Sequence, residues 1–162
     1  MEVRRRTINI LLGIVVVALV VAIISSIMSP VNFTKEAKAR EEKVIERMQK
    51  IRSAEARYRQ THDGVFCSTL DSLVMTGYIA DSLKYIPYSS GKQFELSDSY
   101  ITTNSGNNVH VIECRAYYDD YLKGLDEEYI AEMKEDALSR GVFPGVKFGA
   151  LTMPSDNRGN WE

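Results

Sequence analysis

Histidine is nearly missing from this chain of 162 residues, which holds only His62 and His110. Structural zinc needs four ligands at short, recognisable spacings, and neither histidine has Cys or carboxylate partners in such a pattern. His62 fits a helix end, where an imidazole can meet the last carbonyls, and His110 fits a strand. Also absent are a Gly-x-Ser-x-Gly elbow, a nucleotide-binding glycine loop and a His-Glu-x-x-His pair, the arrangements that carry nucleophilic, phosphate or metalloprotease chemistry. The sequence therefore points away from an enzyme, and it assigns no catalytic, metal-binding or cofactor-binding residue. A basic stripe is missing too. The net charge is −2, and apart from Arg4, Arg5, Arg6 and Glu2 the charges all lie beyond residue 32. A mildly acidic surface of this kind does not attract nucleic acid.

Charge is wholly absent from residues 8–28, INILLGIVVVALVVAIISSIM. That length is roughly the 20 residues needed to cross a bilayer as a helix. Arg4, Arg5 and Arg6 precede the run, and in a bacterial setting the positive-inside rule keeps that end in the cytoplasm. The expected topology is an inner-membrane anchor with residues 1–7 cytoplasmic, 8–28 spanning, and the rest periplasmic. A cleaved signal peptide is the rival. The run exceeds the roughly 7–15 residues of a signal's apolar core, and no small-x-small site closes it.

Beyond the run, Ser29-Pro30 marks a break, and Asn32 or Thr34 can cap a new helix. Glycine and proline are missing from Lys35 to Gln60, a tract rich in Ala, Glu, Lys and Arg. Its first half is charged all round and reads as a solvated stalk. In its second half Val44, Met48, Ile51, Glu55 and Tyr58 recur at steps of four and three. The apolar members form a stripe, widened by Ala54, that packs on the chain's own domain or on a partner helix. His62-Asp63-Gly64 stops the helix. Phe66 and Cys67 tuck beneath its end, Ser68 or Thr69 caps a short helix from Leu70 to Met75, Gly77 closes it, and Tyr78-Ile79 return to the core. Phe66, Leu70, Leu73 and Tyr78 are expected to meet the Val44, Met48, Ile51 and Tyr58 face. Asp81 to Ile86 is a further turn ended by Pro87.

Strands are predicted over Gln93–Thr102 and Val109–Tyr118, joined by the turn-rich Asn104–Asn108. In the second, His110, Ile112, Cys114 and Ala116 alternate with Val109, Val111, Glu113 and Arg115. Leu122 to Arg140 reads as a helix striped by Leu125, Tyr129, Met133 and Leu138. A last strand follows over Val146–Leu151, and then a polar tail containing Trp161. The fold class is α+β: a transmembrane helix continuing into a long amphipathic helix, residues 29–60, packed on a small antiparallel sheet within residues 61–162.

Cysteine is scarce, with only Cys67 and Cys114. Export would place both in an oxidising compartment, so a bridge between them is expected. It would close a loop of about 47 residues and stabilise by roughly 3–4 kcal/mol on a chain-entropy view. The alternative is two buried free thiols. Carboxylates cluster at Asp119-Asp120 and Asp126-Glu127-Glu128 around Gly124, and again at Asp156, Asn157, Asn160 and Glu162. Calcium is the one ion such oxygens could take. Helix-start acids and turn residues explain them more simply, and no cofactor is expected.

A long N-terminal helix, apolar first and amphipathic later, leading into a small sheet, resembles the type IV pilins and type II secretion pseudopilins. Ala54-Glu55-Ala56-Arg57-Tyr58, then Gly64-Val65-Phe66, Leu70, Leu73 and Gly77-Tyr78-Ile79, is similar to the end of their helix and the loop after it. The resemblance covers about residues 8–80. It implies a non-enzymatic single-pass protein with a pilin-like exported domain, acting in assembly of a pilus- or secretion-type envelope complex. Its partners would be the membrane and other proteins or copies of itself, met through the N-terminal helix. The sequence departs from the family where the apolar run begins, directly after Arg6-Thr7 and with no glutamate inside it. Prepilin processing and a glutamate-set register therefore have no residues here. Two other readings stay open, a coiled-coil scaffold of the cell envelope and a membrane-anchored ligand-binding module.

Overall fold

The computed structural model describes the chain except residues 1 and 104, and except the side chains of residues 2–10 and 24–30. Arg4, Arg5 and Arg6, the flanks of the predicted span and the expected break at Ser29-Pro30 lie outside the described residues. Among the described residues, no helix is long and apolar enough to cross a membrane.

Helix α1 is assigned to Glu2–Thr61, and the chain divides into two compact units, Met1–Glu36 and Ala37–Glu162. In the first unit, residues 11–23 are helical and exposed. Asn32 and Thr34 are interior helix residues, so neither stands at a helix start. The second unit begins at Ala37, inside the tract whose first half is expected to be a solvated stalk. The reason is burial. Ala37, Val44, Met48, Ile51 and Ala54 are all buried, and they carry the apolar stripe back into the tract read from its charges as a solvated stalk.

The remaining elements make an α+β unit. Helix α2 is Leu70–Met75, with the Thr69 hydroxyl accepting the Ser72 amide as its N-cap. A 3-10 turn at Asp81–Lys84 follows. Strands β1 (Glu95–Thr102), β2 (Asn108–Tyr117) and β3 (Gly145–Gly149) form one antiparallel sheet in the order β1-β2-β3. Two helices sit between β2 and β3: the single turn α3, Tyr118–Tyr121, and α4, Glu127–Ser139. The helix expected over Leu122–Arg140 is therefore shortened to α4, the first residues of that tract forming the turn that follows α3. Gly124 adopts φ +83 and Asp126 caps α4 through the Glu128 amide, so the chain turns before the acidic run, whose residues sit at a helix start as expected. The α4 stripe is also corrected. Ile130 and Ala137 are its buried residues, and Leu138 is 63% exposed.

The central strand carries the core. Ile112, Cys114 and Ala116 are fully buried on one face of β2, with Val146 and Phe148 of β3 beside them. Strand β3 approaches β2 so closely that a Cβ at Gly149 would stand 2.0 Å from the Ile112 carbonyl oxygen. The C-terminal segment then covers the outer edge of β3. The Gly149 amide donates to the Arg158 carbonyl, and Asn160 exchanges bonds with the Lys147 backbone and donates to the Gly145 carbonyl.

Candidate functional site

The loop between α1 and α2 is held by side chains from two other elements. Asp63 and Gly64, at φ +49 and +82, reverse the chain, and the Gly64 amide donates back to the Arg59 carbonyl. Phe66 and Cys67 then enter the core. The Phe66 amide donates to His110 Nδ1 at 2.8 Å, and the Cys67 amide donates to Glu55 Oε2 at 2.9 Å. Because Nδ1 accepts, His110 carries its proton on Nε2 and donates it to Asp98 Oδ2 at 2.8 Å. The Tyr100 ring stacks on the imidazole at 4.4 Å between centroids. Both nitrogens of His110 are thus occupied.

Glu55 is the unexpected member. It is fully buried on α1, and its Oε1 has no hydrogen-bond partner among the described residues. Burial pushes its carboxyl up to about 7; the Cys67 amide opposes the rise and Asp98 adds to it. The other buried glutamate, Glu113, differs in kind. It lies on the opposite face of β2 and pairs with Arg115 and with Lys147.

The expected Cys67–Cys114 bridge is not formed, and both cysteines are free, buried thiols. Cys67 turns its sulfur to the Thr69 carbonyl, with Sγ donating at 3.3 Å. Cys114 occupies the interior face of β2, where burial drives its thiol strongly upward. A thiol held protonated in this way is a poor nucleophile and metal ligand.

Among the residues expected to pack together, Val44, Met48, Ile51, Phe66, Leu70 and Leu73 are buried. Tyr58 and Tyr78 are half-buried and meet edge to face at 5.4 Å, with His62 stacked on Tyr58 at 3.7 Å. Around this apolar seam run arginines whose part sequence reasoning missed. Arg40 donates to the Tyr121 and Lys123 carbonyls, Arg47 to those of Ser82 and Tyr85, and Arg57 to that of Tyr78. Arg52 reaches the Asn157 carbonyl, pairs with Glu162 and lies over the Trp161 ring. Each guanidinium reaches from α1 to carbonyls of a loop or a short helical turn. Its several donors suit irregular backbone that a strand cannot pair.

The acidic clusters are engaged elsewhere. Asp119 pairs with Lys134, Asp120 pairs with Lys92 and accepts the Tyr117 amide, and Asp126 is the α4 cap. In the tail, Asn160 ties to β3 and Glu162 to Arg52. Among the described residues, no group of three or more His, Cys, Asp or Glu side chains is placed to hold a metal ion.

No family model, no curated protein and no solved structure matches this chain.

Proposed function

We propose that the chain is a non-enzymatic, single-pass envelope protein whose pilin-like exported domain acts in assembly of a pilus- or secretion-type complex. The observation that carries the reading is the surface of α1 from residue 11 to residue 23. Leu11, Leu12, Ile14, Val15, Val16, Val17, Leu19, Val20, Val21 and Ile23 are between 48% and 64% exposed. Gly13, Ala18 and Ala22 complete a helical surface with no polar side chain. A face of that extent is not stable in water. Hydrocarbon, or apolar helices packed within it, is the natural cover, and Arg4 to Arg6 set the orientation. The second unit, which joins the buried later half of α1 to a three-stranded antiparallel sheet, supports the pilin-like part of the proposal.

The coiled-coil scaffold is disfavoured by burial. Val44, Met48 and Ile51 are fully buried within the chain's own second unit and leave no free seam for a partner helix.

Membrane fractionation with protease digestion tests the topology. Protease added after permeabilising the outer barrier is expected to remove the domain and leave a membrane-embedded N-terminal fragment. A mature N-terminus near Pro30 would establish a secreted protein and overturn the anchor. Crosslinking in intact membranes followed by identification of the captured chains tests assembly. Recovery of the uncrosslinked monomer alone would overturn that part.

A further inference from the structure

Glu55 is a buried acid with one hydrogen bond and, among the described residues, no counter-ion. Its oxygens meet the Cys67 amide on one side and no partner on the other. The titratable groups facing it, element by element, offer no cation. Strand β1 brings Asp98, which pairs with His110 of β2. Strand β2 also brings the Cys114 thiol, the loop brings Cys67, and α1 itself brings Tyr58. Glu113 shows how this fold holds a charged buried carboxylate, with a guanidinium and an ammonium together. The same device is missing at Glu55, so the site is built for the neutral acid.

Its position gives the proton a mechanical consequence. Glu55 and His110 take the consecutive amides of Cys67 and Phe66. Residues 62–69 are thereby pinned between α1 and the sheet. We propose that Glu55 is a proton-operated latch: protonated, it holds the loop closed against α1, and ionised, it draws water into the seam and releases the loop.

The sign follows from the direction of the shift. A carboxyl raised in the folded state makes the fold bind the proton more tightly than the unfolded chain does. The stability is full below the ordinary carboxyl value of 4.5 and is lost as pH rises through about 7.

The test compares the full chain with Glu55→Gln, in detergent micelles, between pH 5 and pH 8. The substituted amide keeps the shape and an acceptor oxygen but cannot ionise. For the wild type, the thermal midpoint is expected to fall as pH rises. Amide exchange at residues 62–69, corrected for intrinsic rates, is expected to accelerate ahead of exchange in β2. In Glu55→Gln both pH effects are expected to vanish. Wild-type pH dependence retained in the variant would overturn the proposal. Should the variant not fold, the infrared band of a protonated carboxyl decides in the wild type. Its persistence above pH 6 supports the latch, and its loss near the ordinary carboxyl range overturns it. The proposal does not depend on the envelope reading.

Discussion

The amides of Phe66 and Cys67, adjacent in sequence, are received by two different elements: His110 Nδ1 on β2 and Glu55 Oε2 on α1. Two buried acceptors thus do for this loop what a strand ladder does for regular backbone. The loop carries Phe66 and Cys67 into the core without orphaned donors.

Leu73, on the short helix that follows this loop, is fully buried. Leu73→Ala is expected to cost about 2–5 kcal/mol, from lost transfer energy and an unfilled cavity. Leu138→Ala, at an exposed position, is expected to stay within about 0.5 kcal/mol. Denaturant unfolding of the two variants checks the contrast.

Arg47 donates to the Ser82 carbonyl at 3.0 Å and to the Tyr85 carbonyl at 2.6 Å. Arg47→Ala leaves both oxygens without that donor and is expected to cost about 1–3 kcal/mol. Lys43→Ala, which removes only an exposed pair with Glu46, is expected to cost at most about 0.5 kcal/mol. The same unfolding assay reads both.

Gly149 combines φ +79 with a Cβ position 2.0 Å from the Ile112 oxygen, inside the β2–β3 ladder. Gly106 has the same sign of φ but open space around it. Gly106→Ala is expected to cost about 1–2 kcal/mol of backbone strain. Gly149→Ala is expected to cost more, because backbone must move to admit the methyl group. Thermal unfolding that ranks the two alike would contradict the close approach.

The thiols make a chemical prediction. Denatured without reductant, the protein is expected to take up two alkylating groups, as it does after reduction. Folded, it is expected to react slowly at both positions, since Cys67 and Cys114 are buried. Mass spectrometry distinguishes these states, and a mass that rises only after reduction would restore the bridge.

Period and punctuation make much of the fold legible. Thr69 caps α2, Gly77 at φ +77 follows it, and the alternation in β2 separates the face of Ile112 and Cys114 from that of Glu113 and Arg115. Length misleads at Leu122–Arg140, where acidic residues suited to a helix start sit inside a tract long enough for one helix. Charge misleads at Lys35–Lys43, where Ala37 is buried and Arg40 reaches the Tyr121 and Lys123 carbonyls. The candidate site is half visible. Glu55 stands in register with the stripe, but a carboxylate in an apolar series reads as an exposed flank. The bonds joining His110 to Phe66 and Asp98 depend on tertiary placement that spacing does not encode. Compartment reasoning about the cysteines likewise does not foresee that the Cys67 sulfur turns to Thr69.

The return of the tail to α1 has a consequence for the order in which the protein forms. Arg52 and Glu162 are 110 residues apart in sequence. At roughly 5–20 residues per second of synthesis, on the order of 5–20 s separate their appearance. The sheet that buries Ile112 and Phe148 is also finished late, because β3 and its edge cover come from residues 145–160. For most of its time on the ribosome, therefore, the newborn chain carries Val44, Met48 and Ile51 without their final cover. Its nascent helix keeps that apolar face open until residues 145–160 have been made.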